Sequence, residues 1–412
     1  VLMKLHTIAA RNILRNRRRS ILSGVAIAVA AMTMTFMFSI VEGLKVDMRG
    51  TTFRYYTGQV RVRNAEYDAN ELLNPLGFSI GSYLTLTEAI EALPETAAVS
   101  PRISFRTGIY ENDTTYPAMG LGVDFKRETG YQDLAGTVTE GRLPENGENG
   151  VLVAAGLAED MKVSPGDKIT LFAQTRGRGS NAMTFTVTGI ARFPAQGLNN
   201  GFFIAPLDRV QRLLRMDGEV TEILVMFKDG VNDRKAADTV RGTVSRLGLE
   251  SVTAQHWTEI GDVFSILQLA EVSYSFVALF FFLLGSTVVI NTTIMVIYER
   301  IREIGTISAL GMTGGEIIRL FFLESFFIAV LGSLAGVLLG SAISAVTGVT
   351  GLDFSSAMEG VSIEMSPVMY PVLNLRSTVF VFLYSVAISS LASLFPSRRA
   401  SRVEPVEALR VV

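Results

Sequence analysis

Four stretches of the chain contain no Asp, Glu, Lys or Arg, and each is long enough to cross a membrane as a helix. They lie at residues 20–41, 272–298, 325–352 and 377–397. A hydrocarbon core of about 30 Å requires about 20 helical residues, and a backbone in lipid must satisfy its own hydrogen bonds. We therefore predict an α-helical membrane protein with four transmembrane helices.

The first stretch follows a basic segment, as the apolar part of a secretory signal peptide does. Its uncharged run is longer than that part usually is, and no clear A-x-A cleavage site follows it. We interpret the first stretch as a transmembrane helix that is retained.

Basic residues beside the four stretches predict how the helices are oriented, because cytoplasmic loops are enriched in Lys and Arg. Residues 1–19 carry Lys and Arg but no acidic residue, and residues 398–412 carry a cluster of Arg. The connection at 299–319 is also basic, whereas the connection at 353–376 is mainly acidic. Both termini are therefore predicted to be cytoplasmic, with residues 42–271 outside the cell membrane.

This orientation divides the chain into nine predicted parts. Residues 1–19 form an amphipathic cytoplasmic helix or, alternatively, a simple basic anchor. The remaining parts, in order, are transmembrane helix 1 at 20–41, an extracytoplasmic domain at 42–271, transmembrane helix 2 at 272–298, a cytoplasmic loop at 299–319, transmembrane helix 3 at 320–352, an external loop at 353–376, transmembrane helix 4 at 377–397 and a cytoplasmic tail at 398–412.

The extracytoplasmic domain has a mixed α/β pattern. Alternating runs at 59–63, 99–110 and 222–227 predict strands, and the spacing at 87–93, 208–215 and 231–247 predicts helices. Turn-rich residues mark a smaller subdomain at about 145–220. Within it, 168–173 and 183–193 are predicted to form a hairpin. Its polar tip carries Arg176 and Arg178, which form either a partner-contact loop or a solvated turn.

The composition argues against several classes of function. The chain has no cysteine and two histidines, His6 and His256, so we expect no metal site and no cysteine nucleophile. His256 stands beside Trp257 and is interpreted as a packing or interfacial residue rather than a general base. A net charge of −2 gives no general attraction to nucleic acid.

The chain also lacks the G-x-x-x-x-G-K-[ST] pattern that binds nucleotide phosphates. Energy for any transport step is therefore expected from a partner. Glu324 is the acidic residue nearest to membrane depth, and we expect it to pair with Arg319 or to serve a helix end. One such acid is a poor basis for a proton-coupled carrier.

The cytoplasmic loop at 299–319 has apolar residues at helical spacing, flanked by Arg and Glu. An apolar ridge between charges is what a short helix needs to dock into a cleft on a soluble partner. A helix resting on the membrane surface is the alternative. Gly332, Gly336 and Gly340 follow in the third stretch as two overlapping G-x-x-x-G repeats, which predict close helix packing, either within the subunit or across a dimer.

These residues resemble a known family, the FtsX/MacB-type ABC permeases, and within it the lipoprotein-releasing LolC/LolE-like permeases. The resemblance extends over the whole order of one helix, a large external domain and three clustered helices. Its motifs also include Leu323 with Glu324, the glycine repeats, and two tail segments at 396–402 and 404–410. The motif expected to contact the ATPase consists of Glu299, Arg300, Arg302, Glu303, Ile304, Gly305, Ala309, Leu310, Gly311 and Met312.

The resemblance implies a non-catalytic permease subunit in the bacterial inner membrane with a MacB-like periplasmic core domain. Two permeases, identical or homologous, would pair with two cytoplasmic ATPases that bind the ATP and Mg, so no cofactor is expected in this chain. Nucleotide-driven closure would pull on residues 302–317. Lipoproteins or similar amphiphiles would enter sideways from the outer leaflet, amid membrane lipids, and a periplasmic carrier would receive them if the hairpin at 173–183 recruits one. A MacB-like exporter of peptides or drugs and an FtsX-like relay to a cell-wall hydrolase remain alternatives.

Overall fold

The structure is a computed structural model. It describes residues 2–15, 17–111, 114–194, 196–260, 312–354 and 368–394, together with 397, 398 and scattered positions between 265 and 306. The chain forms two compact units. We call Val1–Val46, Leu269–Ala357 and Val368–Val412 the helical unit, and Asp47–Gln268 with Met358–Pro367 the sheet unit.

Ten α-helices have both ends within the described residues, apart from the helical positions between 265 and 306. They are α1 Leu2–Arg15, α2 Arg17–Thr52, α3 Tyr83–Glu91, α4 Phe125–Tyr131, α5 Ala155–Met161, α6 Gln196–Asn199, α7 Leu207–Leu214, α8 Asp233–Arg246, α9 Gly314–Thr350 and α10 Leu375–Ala392. A π-helix, Phe53–Thr57, continues directly from α2. Short 3₁₀ helices occur at Asp68–Leu73, Ala135–Thr137 and Trp257–Glu259.

Three helices are long and apolar enough to cross a membrane within the described residues: Ser20–Thr57, Gly314–Thr350 and Leu375–Ala392. They correspond to the first, third and fourth predicted transmembrane stretches. The second stretch is described in part, and every described position from Val272 to Met295 is helical.

Helices α2 and α9 begin earlier than the predicted stretches, whereas α10 ends at Ala392, before the predicted end at 397. Helix α2 continues to Thr52 because a hydrogen-bonded helix propagates past single charged residues once it has formed. Helix α9 begins at Gly314, inside the predicted cytoplasmic loop. The Glu316 carboxylate accepts hydrogen bonds from the Thr313 amide and hydroxyl, 3.1 and 2.8 Å long, which form a cap at the start of α9.

Helix α1 packs on α9 within the helical unit. The ring of His6 lies edge-on to Phe327, with centroids 6.5 Å apart. The Asn12 side chain donates a 2.6 Å hydrogen bond to Glu324, which is 2% exposed. The sequence analysis expected Arg319 or a helix end as the partner of Glu324. The hydrogen bond described for this carboxylate comes from α1, and Arg319 is exposed. The Asn12–Glu324 contact depends on the packing of α1 against α9, and residue spacing in the sequence does not show which helices pack together.

Fourteen strands are present in the described chain. They are β1 Val60–Asn64, β2 Ile80–Gly81, β3 Thr96–Glu111, β4 Thr114–Val123, β5 Val138–Gly141, β6 Gly150–Ala154, β7 Lys168–Gln174, β8 Ser180–Ala191, β9 Phe202–Pro206, β10 Glu219–Val220, β11 Glu222–Phe227, β12 Val252–His256, β13 Leu352–Asp353 and β14 Val368–Met369.

Ten strands of the sheet unit form one sheet in the order β12-β1-β11-β3-β4-β9-β6-β8-β5, and β7 pairs with both β3 and β8. The strands β3-β4-β9-β6-β8-β7 therefore make a closed circuit of pairings. The β4–β9 and β6–β8 pairs are parallel, and the other pairs of this sheet are antiparallel. Long β3 joins the circuit to β11, so the segment at 145–220 is hydrogen-bonded into the rest of the unit.

Within this circuit, apolar side chains of neighbouring strands pack on one another. Phe105 and Phe203 meet edge to face with ring centroids 5.9 Å apart, and both are buried. Gly120 lies between them, and a Cβ there would approach both rings to 2.5 Å. A glycine is therefore required at this position by the close approach of two aromatic rings.

The predicted hairpin is confirmed, with β7 and β8 paired from Lys168 opposite Thr186 to Gln174 opposite Ser180. Both strands run further toward the tip than predicted. The tip therefore has five residues, 175–179, closed by a 2.7 Å hydrogen bond from the Thr175 amide to the Gly179 carbonyl.

Candidate functional site

The residues predicted to contact an ATPase fall mainly outside the described part of the chain. Only Met312 of that motif is described, and it lies two residues before α9 begins. The motif from Glu299 to Gly311 therefore remains a prediction from sequence. In the chain, the motif lies between the described helical positions that end at Met295 and the start of α9.

The glycine repeats of α9 pack against α2 within the same subunit. A Cβ on Gly332 would lie 2.7 Å from the Gly24 carbonyl oxygen, and one on Gly340 would lie 2.7 Å from the Met32 carbonyl oxygen. A Cβ on Gly336 would overlap the Ala28 backbone between them. We call this contact the glycine seam.

The seam has a definite direction and register. Residue numbers rise together on both helices, so α2 and α9 run parallel. Three successive backbone contacts at four-residue spacing leave no room for a side chain between the helices. The structure thus assigns to the subunit's own α2 a face that the sequence left open between an internal and a dimer contact.

At the other end of α2, the helical unit contains a pocket of about 240 Å³. We call it the outer pocket. Phe38, Leu279 and Phe380 supply apolar walls, whereas Glu42 and Lys45 line it with opposite charges 3.9 Å apart. One side of the pocket therefore suits apolar chains and the other suits a polar group.

Hydrogen bonds hold the walls of the outer pocket in place. The Asn374 side chain donates to Glu42 at 3.2 Å, and the Val372 amide donates to the Ser39 carbonyl at 2.9 Å. Asn374 also caps α10 by accepting from the Arg376 amide. The start of α10 is thus tied to α2 beside the pocket.

In the sheet unit, a buried ion pair anchors the π-helix that follows α2. Arg102 of β3 and Glu128 of α4 are fully buried and approach to 2.5 Å. Arg102 also donates a 2.8 Å hydrogen bond to the Arg54 carbonyl, and the Tyr131 hydroxyl donates a 2.7 Å bond to the Phe53 carbonyl. We call this group the Arg102 anchor.

The electrostatics of the anchor keep the pair charged. Burial alone would lower the pKa of Arg102, but the neighbouring Glu128 carboxylate raises it above the ordinary value. Burial also raises the pKa of Tyr131, so its hydroxyl remains a donor. Ser100 and Gln132 donate further hydrogen bonds to Glu128. The carboxylate is therefore well satisfied despite complete burial.

A second cavity, of about 370 Å³, lies within the sheet unit. Arg61 and Arg63 project from one side of β1 into its wall and bind Asp68 at 2.8 and 2.7 Å. Arg63 also binds buried Glu222 at 2.8 Å. Tyr55 lines the cavity as well, and burial raises its pKa to about 12. The ion pairs of the two arginines with Asp68 and Glu222 form a charged wall of the cavity.

The two arginines predicted at the hairpin tip differ in their surroundings. Arg176 forms a 3.0 Å ion pair with Glu219, and its amide donates to the Leu214 carbonyl. Arg178 has a φ of +62°, a left-handed conformation typical of a tight turn. Arg176 therefore stabilises the hairpin against its own unit, and its use as a partner contact remains a prediction.

His256 lies inside the sheet unit and is 2% exposed. Its Nε2 approaches Asp233 to 3.1 Å, and its ring contacts that of Trp257. Burial disfavours the charged Asp233, but hydrogen bonds from Trp257 and His256 outweigh it and lower the pKa of that carboxyl. The packing interpretation of His256 agrees with this geometry.

Sequence reasoning missed the Arg102 anchor and the charged wall at Arg61 and Arg63. The alternation of 59–63 predicted a strand, and the structure shows that both of its arginines are buried. Arginines within an otherwise apolar strand were the available signal. Asp68 lies five to seven residues after the arginines, in a 3₁₀ helix that was not predicted, and Glu222 lies 159 residues from Arg63.

Comparison with known proteins identifies two regions. The MacB-like periplasmic core domain matches residues 20–243, and the FtsX-like permease C-terminal domain matches residues 275–405. The chain is 22% identical to the lipoprotein-releasing system transmembrane protein LolC of Xylella fastidiosa (strain Temecula1), over 93% of this chain and 94% of that protein.

Two further similarities concern MacB proteins. The macrolide export ATP-binding/permease protein MacB of Vibrio parahaemolyticus is 23% identical over 80% of this chain and 49% of its own length. The crystal structure of the periplasmic region of MacB from Actinobacillus actinomycetemcomitans is 14% identical over 52% of this chain and 92% of that chain, with a TM-score of 0.36.

Proposed function

The chain belongs to the family of ABC transporter permeases with a MacB-like periplasmic core domain and an FtsX-like C-terminal domain, and from this premise we propose that it extracts lipoproteins or similar amphiphiles from the outer leaflet of a bacterial inner membrane. In this proposal the chain crosses the membrane four times, with a second transmembrane helix at 272–298 and both termini in the cytoplasm. It catalyses no reaction itself.

The outer pocket carries this proposal. An amphiphile presents acyl chains and a polar group together, and the pocket offers apolar rings beside the Glu42–Lys45 pair. Its walls come from α2, from α10 and from described helical positions at Ser275 and Leu279. Such a mixed site suits a lipid-linked substrate better than a uniformly polar solute.

The glycine seam supports a mechanical route for the energy. Parallel helices in backbone contact have no compressible side chains between them, so α2 follows a displacement of α9. A cytoplasmic ABC ATPase, in two copies, would bind ATP and Mg and act on residues 299–312. Binding and hydrolysis of ATP by this partner must then change the relative stability of two arrangements of the transmembrane helices. A second permease, identical or homologous, completes the complex, and a periplasmic carrier is a further proposed partner.

Replacing Phe380 by Gln is expected to weaken stimulation of the complex's ATPase by lipoprotein in nanodiscs. An amide placed without a partner against acyl chains costs roughly 1–3 kcal/mol, so stimulation should require at least about fivefold more lipoprotein. Val379→Gln is the matched control, because Val379 is 46% exposed and lies outside the pocket lining.

The same assay distinguishes the alternative functions. Stimulation by drugs or peptides but not by lipoprotein would indicate a MacB-like exporter. Activation of a cell-wall hydrolase without any stimulating substrate would indicate a signal relay. Equal effects of the Phe380 and Val379 substitutions would show that the outer pocket does not bind the substrate.

Replacing Arg302 and Glu303 by Ala is expected to separate ATP hydrolysis from transport. Coupling energies of about 1–3 kcal/mol correspond to about 5- to 150-fold effects, so lipoprotein release should fall by that factor while basal ATPase activity changes less than about twofold. Arg319→Ala is the control, since Arg319 is exposed on α9 outside the motif. Unchanged release in the double variant would refute the coupling assignment.

A further inference from the structure

A groove of about 430 Å³ runs along the helical unit between α2 and α9. On α2 its lining includes Arg17, Ser20 and Ala28, which share one helix face, and on α9 it includes Leu331 and Ala335. We call it the basic-end groove, because it starts where α2 emerges from the arginine-rich N-terminal segment. It is distinct from the outer pocket, with which it shares no lining residue.

The groove has the length of one membrane leaflet. Eleven residues separate Arg17 from Ala28, which corresponds to about 16 Å at 1.5 Å per residue. Half of a hydrocarbon core of about 30 Å is roughly 15 Å. One acyl chain laid along α2 would therefore run from the basic end to the end of the groove.

Positive charge at the basic end of the groove favours a lipid with an anionic head group. Arg11, Arg15 and Arg18 are exposed near Arg17, and no acidic residue occurs among the first 19 residues. The carboxylate that α9 contributes near this end is Glu324, which is buried and accepts a hydrogen bond from Asn12. Among the described residues, basic side chains therefore predominate where the apolar groove opens.

Ser20 gives a second, independent indication. Its side chain lines the groove and is 9% exposed, and its Oγ has no hydrogen-bond partner among the described residues. Buried hydroxyl groups in proteins are as a rule hydrogen-bonded. A phosphate or ester oxygen of a lipid would supply the acceptor one helical turn beyond Arg17.

We propose that the basic-end groove binds one anionic phospholipid. Its phosphate lies by Arg17, and an oxygen of its head or glycerol region accepts a hydrogen bond from the Ser20 hydroxyl. One acyl chain lies along the exposed apolar lining formed by Ile21, Val25 and Leu331. The site is separate from the path proposed for transported substrate, and its occupancy does not depend on ATP.

The test is native mass spectrometry of the full-length protein titrated with phosphatidylglycerol or phosphatidylcholine. Wild type should retain one phosphatidylglycerol more tightly than phosphatidylcholine. Arg17→Gln should weaken phosphatidylglycerol retention about fivefold, the effect expected of one basic residue at an anionic surface. Arg18→Gln removes the same charge one residue away, outside the groove lining, and should change retention less than twofold.

A second pair of variants tests the apolar part of the site. Ala335→Phe fills the groove and should abolish the tightly bound lipid, whereas Leu338→Phe, at a position 61% exposed and outside the lining, should not. Equal losses in the Arg17 and Arg18 variants would overturn the proposal in favour of general surface attraction. Undiminished lipid in Ala335→Phe would also overturn it, as would a change of oligomeric state in that variant, which would show a second copy of the chain as the occupant.

Discussion

Replacing Arg102 by Met is expected to destabilise the sheet unit by about 3–5 kcal/mol, because Glu128 would remain fully buried without its charged partner. The π-helix would lose the hydrogen bond from Arg102 to the Arg54 carbonyl at the same time. Hydrogen exchange of full-length protein in nanodiscs should show lost protection in β3, in α4 and in Phe53–Thr57.

Two further variants identify the cause of that loss. Arg127→Met removes a partly exposed ion pair with Glu91 and should cost less than about 1 kcal/mol. Combining Arg102→Met with Glu128→Leu should recover much of the stability, since no buried charge is then left unpaired. If Arg102→Met costs no more than Arg127→Met, the buried pair does not hold this region.

Replacing Gly336 by Leu is expected to abolish lipoprotein release and to reduce the yield of folded protein. The new side chain would meet the backbone of Ala28, which cannot rotate away as a flexible side chain can. Overpacking of well-packed interiors costs typically about 1–3 kcal/mol and sometimes more, and separation of α2 from α9 would also remove the proposed route for force.

Gly50→Leu is the matched control for this experiment, since a Cβ at Gly50 meets no atom within 4 Å. Gly336→Ala should give a smaller defect, and adding Ala28→Gly should not rescue it because the obstructing atoms belong to the backbone. Full release by the Gly336→Leu variant would contradict the seam. Folded protein that hydrolyses ATP without release would locate the defect in force transmission.

Local patterns predicted the elements of the sheet unit well. The strand at Glu222–Phe227, the β7–β8 hairpin and the helices near Leu207 and Asp233 all appear close to their predicted positions. Alternation and helical periodicity are set by neighbouring residues, so they can be read directly. The order of strands in the sheet was not predicted, since pairings such as β4 with β9 join segments about 80 residues apart.

At the candidate sites, too, the sequence predicted individual residues and only the structure identified the residues that contact them. G-x-x-x-G repeats predicted a close contact for Gly336, but only the structure identifies Ala28 as the neighbour. Glu324 was recognised as unusual, and its partner Asn12 lies 312 residues away in sequence. The outer pocket draws on three separate segments, none of which carries a recognisable pattern alone.

The sequence by itself determined that long apolar helices carry a large α/β domain, which side of the membrane each segment is expected to face, and which family motifs are present. Those properties depend on hydrophobicity, charge and spacing within short windows of chain, where each residue acts on near neighbours. Only the tertiary structure decided that α9 lies parallel against α2, that Arg102 and Glu128 meet fully buried, and that the outer pocket and the basic-end groove form. Such contacts form between segments that are distant in sequence and bury surface against each other. They therefore depend on how the whole chain packs.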